Sequence, residues 1–130
     1  MTGYRSSFFR HVCQVRGCYI ESLPNWDEYI ECFPRGIRPT DVDGFVEING
    51  QLLFLEEKQE GKGPDEGQRR ALAALAARDG VTVVYLRPKG EHLEVLVLGN
   101  GSPKGWQAVT SDQFKDWLRW WCQQAERAPA

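Results

Sequence analysis

No stretch of the 130-residue chain is apolar for the length a membrane span requires, and the segment Met1 to Arg10 lacks the continuous apolar core of a secretory signal. The chain is therefore expected in the cytoplasm, with its four cysteines reduced. Those cysteines are Cys13, Cys18, Cys32 and Cys122, and no two make a Cys-x-x-Cys knuckle. His11, Cys13, Cys18 and Cys32 are thus a poor zinc set. No zinc is expected, and the thiols read as unrelated and buried. An excess of positive charge is also missing: 16 Lys and Arg stand against 18 Asp and Glu. Overall charge does not point to nucleic acid, so any contact with phosphate must come from local clusters or a bound cation. The loop Gly61-Lys62-Gly63-Pro64 lacks the order Gly-x4-Gly-Lys-Ser/Thr, which excludes a Walker nucleotide site.

What is present suits one ordinary globular domain spanning residues 1–130. Hydrophobic residues make up 42% and charged residues 26%, which excludes wholesale disorder. Five Trp, six Phe and four Tyr supply large side chains, so a core needs no disulfide staple.

Residues 1–24 carry no regular pattern. Asn25 reads as a helix cap with Glu28 as its reciprocal partner, Trp26, Ile30 and Phe33 as a short apolar stripe, and Pro34 as the stop. The period then becomes two. Val42 to Ile48 and Gln51 to Lys58 flank Asn49-Gly50, a pair that tolerates the positive φ of a type I′ hairpin turn. Asp65 opens an Ala- and Leu-rich helix expected to run to about Asp79, with Gly80 as its C′ residue. Val81 to Leu86 is an expected strand, Pro88 to Gly90 a turn, and His92 to Leu98 another strand. Trp106 to Val109 adds a short edge strand, and Ser111 caps a last helix whose Phe114, Trp117, Leu118 and Trp121 recur at helical spacing. The expected fold is mixed α/β, a central sheet with helices on its faces.

The turn sets the register. With Asn49 and Gly50 as the two loop residues, Phe45 faces Phe54, Asp43 faces Glu56 and Asp41 faces Lys58. These four ionisable residues then project from one sheet face. Carboxylates directly opposite one another lie roughly 4.5–5.5 Å apart at Cβ, which is unfavourable when both are ionised. A charged strand end running into solvent is the plainer reading. Convergence beside the apolar run Leu52 to Leu55 argues instead for a divalent cation, Mg²⁺ or Mn²⁺, held by Asp43 and Glu56. Lys58 cannot bind that ion, but it can orient water or stabilise charge on a phosphoryl oxygen.

Asp43, Glu56 and Lys58 on a hairpin followed by a helix resemble the PD-(D/E)xK nuclease superfamily, over about Pro39 to Leu86. The likeness is greatest to small phage and VRR-type stand-alone nucleases, in which a Gly-Gln pair, here Gly67-Gln68, opens the helix after the Lys strand. It implies a restriction-endonuclease-like core, α-β-β-α-β, with additional strands and a C-terminal helix. It also implies a Mg²⁺- or Mn²⁺-dependent endonuclease acting on DNA, with RNA left open. Catalytic roles fall to Asp43, Glu56, Lys58 and Gln68, and metal binding to Asp43 and Glu56. No Pro directly precedes Asp43, so Asp41 is the alternative motif acid; Asp43 is preferred because it faces Glu56. Gln68 also fits a capping box with Asp65. An upstream acid, Glu28 or Glu31, often accompanies the motif. Arg35, Arg38, Lys62 and Arg69, with Arg70, flank the site as candidate phosphate ligands or as plain surface. Cutting both strands of a duplex would call for a homodimer. The competing reading is a nuclease-like binding module that holds nucleic acid or protein without cleaving it.

Overall fold

The computed structural model describes residues 27–99 and 105–129. The Asn25 cap, Trp26, and the zinc set's His11, Cys13 and Cys18 lie outside them. The chain divides between Asp41 and Val42 into two units.

Among the described residues of the first unit the expected helix is absent. Short 3-10 turns at Ile30–Cys32 and Pro34–Gly36 take its place, and neither holds a buried residue. The reason is length and proline. A segment of under ten residues cannot offset the cost of nucleating an α-helix, and Pro34 forces Phe33 to be extended. Cys32 is exposed, contrary to its expected burial, and Cys122 in the second unit is only partly buried.

The second unit is mixed α/β. Its elements are β1 (Gly44–Ile48), β2 (Gln51–Glu57), α1 (Glu66–Ala76), β3 (Val81–Lys89), β4 (His92–Leu98), β5 (Gln107–Val109) and α2 (Ser111–Arg127). The strands make one sheet in the order β1-β2-β3-β4-β5. Only β2 and β3 run parallel, and the helix that such a connection needs is α1. The other three pairs are antiparallel.

Alternation sorts the side chains onto two faces. One face carries Phe54, Val81, Val83, Tyr85, Leu96 and Leu98, and Leu72, Leu75 and Ala76 of α1 pack on it. On the other, Trp121 of α2 reaches Thr82, its indole N–H donating to Oγ1 at 3.3 Å. Val83, Val84 and Tyr85 at the centre of β3 are wholly buried. A strand covered on both faces reads as a continuous apolar run, and that is how Val81 to Leu86 reads.

Three boundaries depart from expectation. Helix α1 ends at Ala76, short of Asp79, and Gly80 (φ +78°) serves the turn into β3 rather than the helix cap. Thr110, not Ser111, caps α2 in a full capping box with Gln113. Pro88 sits inside β3 opposite Leu93, not in a turn. Strand β2 stops at Glu57 and its last bond to β3 is Lys58 N–H to Leu86 C=O at 2.8 Å, so the missing N–H of Pro88 falls where no strand is present to accept it.

The hairpin turn is as the Asn-Gly pair dictates. Asn49 and Gly50 have φ of +54° and +80°, and the ladder pairs Ile48 with Gln51 and Phe45 with Phe54, whose rings stack at 4.9 Å. Asn49 has a second role. Its Nδ2 donates to the carbonyls of Ala125 (3.3 Å) and Ala128 (2.6 Å), satisfying the C-terminus of α2. Asn49→Ala should therefore destabilise the protein by about 1–2 kcal/mol, through both left-handed strain and the lost cap. Asn49→Gly, which keeps the turn conformation, should lose only the cap. Urea unfolding of the two variants checks this: an Asn49→Gly protein as stable as the unaltered one would exclude a capping role.

Candidate active site

The hairpin places the two acids at its open end. Asp43 immediately precedes β1, and Glu56 is the penultimate residue of β2. They lock reciprocally: the Asp43 N–H donates to Glu56 Oε2 at 3.2 Å, and the Glu57 N–H donates to Asp43 Oδ2 at 2.8 Å. Sequence supplies the reason. Gly44↔Leu55 is the last ladder pair, so the next residue outward on each side uses a carboxylate where a backbone partner ends.

Glu56 is the only buried charged residue among those described, at 5% exposure. It faces α1, whose Gln68 donates from Nε2 to Glu56 Oε1 at 2.9 Å. The capping expectation for Gln68 is half met. Asp65 Oδ1 accepts from the Gln68 backbone N–H at 2.7 Å, but the Gln68 side chain turns to Glu56 instead of back to the helix start. Gln68, Leu72, Leu75 and Ala76 lie at i, i+4, i+7 and i+8, so one helical stripe both packs the core and delivers the amide.

Burial pushes the Glu56 carboxyl up, and the Asp43 charge adds to it, while the Asp43 N–H, Lys58 and Gln68 pull the other way; the result is about 7, from 4.5. Backbone and amide donors therefore do not fully compensate the burial of this carboxylate. Glu57 is raised too, by desolvation and then by Asp43.

Lys58 continues the alternation beyond β2 and is partly buried. Its backbone N–H holds the end of the ladder on Leu86, and its charge bears on Glu56. Lys62, Arg69 and Arg70 are exposed on the loop and the start of α1. Asp41 ends the other unit, and the ladder that would have set it opposite Lys58 stops at Gly44. Glu28, Glu31, Arg35 and Arg38 also belong to that unit and are exposed, with Arg38 ion-paired to Asp27 at 3.5 Å.

Two residues of this face were not legible. The parallel register sets Tyr85 directly beside Glu56. Arg87, two further along β3, donates from Nε to Glu94 (2.9 Å) and from Nη1 to the Lys62 carbonyl (2.6 Å), with its guanidinium carbon 3.7 Å over the Trp106 ring. The available signal was the polar group on alternate positions of an otherwise apolar run, Val81-Val83-Tyr85-Arg87. Among the described residues no group of three or more His, Cys, Asp or Glu is placed to hold a metal ion, and no helix is long and apolar enough to cross a membrane.

A carboxyl whose folded value exceeds its unfolded one binds more protons in the folded state between the two values. In EDTA, stability should therefore be highest below pH 4.5 and fall as pH rises to about 7, by on the order of 1–2 kcal/mol after allowance for solvent at this rim. Glu56→Gln should flatten most of that slope, leaving the smaller part due to Glu57. Urea midpoints at pH 4.5, 6 and 7.5 measure it; an unchanged slope in the variant would place the titration elsewhere.

No protein-family model, curated protein or solved structure matches the chain.

Proposed function

We propose that the chain is a metal-dependent nuclease of the PD-(D/E)xK type, with a restriction-endonuclease-like core, hydrolysing phosphodiester bonds in DNA. One observation carries this reading: a buried carboxylate, Glu56, meets Asp43 at the mouth of a hairpin, with Lys58 next along on the same face. Above about pH 7 the ionised form of such a buried carboxyl is destabilising, and a bound cation would relieve that cost as a proton does at lower pH.

The donor set fits a hard divalent ion. Both acids retain lone pairs beyond the hydrogen bonds they accept. Two carboxylates suit Mg²⁺ or Mn²⁺, which fills its remaining positions with water and phosphate oxygens. When bound there, the ion would polarise a phosphoryl oxygen and supply an activated water.

The chain's own residues do the rest. Asp43 and Glu56 would hold the ion, with the Glu56 carboxylate met from the side by the Gln68 amide. Lys58 offers positive charge at the same rim, suited to the charge that grows on the phosphoryl oxygens in the transition state. Lys62 and Arg69 are candidates for flanking phosphates.

The test is a cleavage panel on plasmid, single-stranded and branched DNA with Mg²⁺, Mn²⁺ or EDTA, with RNA alongside. Lys58→Ala should lower turnover roughly 10²-fold while affinity falls only modestly, because one cation among several phosphate contacts carries a small share. Glu56→Ala and Asp43→Ala should abolish cleavage, and millimolar Mg²⁺ should raise the melting temperature of the unaltered protein. Binding of DNA without metal-dependent cleavage would replace this reading with that of a binding module. Undiminished cleavage by Lys58→Ala would remove Lys58 from the mechanism.

A further inference from the structure

The polar face beneath α1 contains two groups that the hydrogen bonds described so far leave unsatisfied. The Tyr85 hydroxyl and Gln68 Oε1 are both buried and have no protein partner. Tyr85 is completely inaccessible, at 0% exposure. Its ring belongs to the apolar cluster under Leu72 and Ala76, yet a Phe would fill that role without burying a hydroxyl. Orphaned buried polar atoms cost about 1–3 kcal/mol each, so two on the elements that meet at Glu56 call for an explanation.

Their positions supply it. Glu56 and Tyr85 are register partners on adjacent parallel strands, and both face α1. Gln68, on the first turns of that helix, donates to Glu56 from Nε2, which leaves its carbonyl oxygen on the other arm of the amide. Burial, and then the charges of Glu56, Asp65 and Arg69, bear on the Tyr85 hydroxyl, in keeping with the parallel register that sets it beside Glu56. A hydroxyl that can donate and a carbonyl that can only accept are what one water molecule joins, accepting from the first and donating to the second.

We propose that Tyr85 is a positioning residue for the Glu56–Gln68 pair, acting through one buried water held between the Tyr85 hydroxyl and Gln68 Oε1. An amide anchored by its oxygen can present only its NH₂ to Glu56. The carboxylate then meets a fixed donor, and its orientation toward Asp43 is set from behind. Gln68 is then the partner one step removed from a ligand-binding carboxylate, the kind that tunes how well it binds, and Tyr85 acts through it.

The water and the amide orientation exist whether or not the chain cleaves DNA; only the effect on a cation rests on the proposed function. Crystals of the metal-free protein should show a water within hydrogen-bonding distance of both atoms, and Tyr85→Phe crystals should lose it while keeping the backbone. In solution, the Gln68 side-chain NH₂ resonances should be shifted and slow to exchange in the unaltered protein, and should move toward free-amide values in Tyr85→Phe. Mn²⁺ titration should then give a dissociation constant about 10-fold weaker for Tyr85→Phe, with a small change in melting temperature.

The outcomes separate cleanly. No water between the two atoms, or Gln68 NH₂ signals unmoved by Tyr85→Phe, overturns the inference. A chain that binds no Mn²⁺ at all fails the nuclease reading, and the water and the amide signals still decide this one. If Mn²⁺ binds and Tyr85→Phe leaves its affinity unchanged, Tyr85 has no positioning role.

Discussion

A carboxylate inside the sheet–helix interface is the constraint around which this domain is arranged. Glu56 could have been an apolar residue, as its neighbours Phe54 and Val83 on the same face are. Because it is a carboxyl, the chain meets it with two donors, the Asp43 backbone and the Gln68 amide, and with the charge of Lys58. None of these is needed for packing. Their convergence at the mouth of a hairpin, where backbone pairing runs out, is costly in stability and is the kind of local conflict that function retains.

The parts that surround Glu56 come from different separations along the chain. Asp43 arrives through a two-residue turn, so the acid pair is set by local structure. Gln68 arrives through the loop after β2, and Tyr85 only after the whole crossover has closed. Helix α1 thus does two things at once. Its Leu72 and Ala76 seal the apolar half of the sheet, and its first turns lay a polar roof over the charged half.

Much of this was readable from residues. Asn49-Gly50 is a turn with one conformation, and the pairing of the hairpin follows from it without reference to the rest of the chain. That is why Phe45–Phe54 and the approach of Asp43 to Glu56 could be stated from sequence. Helix α1 was legible in kind, from Asp65 and its Ala-Leu run, but not its end, because Gly80 suits both a helix cap and a turn before a strand. The first-unit helix failed because capping residues and an apolar stripe do not lengthen a segment cut short by Pro34. Tyr85 and Arg87 stayed hidden for another reason. The alignment of two parallel strands is set by a crossover and by packing, and no pair of residues encodes it locally. The Asp41–Lys58 pairing was lost where the ladder stops at Gly44, a limit that periodicity does not mark.

Pro88 has a bearing on how the protein behaves in a crowd. Strand β3 outruns β2, and past Leu86 its half-buried backbone has no strand partner on that side, the kind of flank to which a stray strand from another chain can add. An invading segment needs alternate donors and acceptors along that flank, and at its second step it would meet a ring in place of a donor. Strand addition beside Lys58 is thereby opposed. A proline that looks like a turn signal in the sequence acts in the sheet as a missing rung.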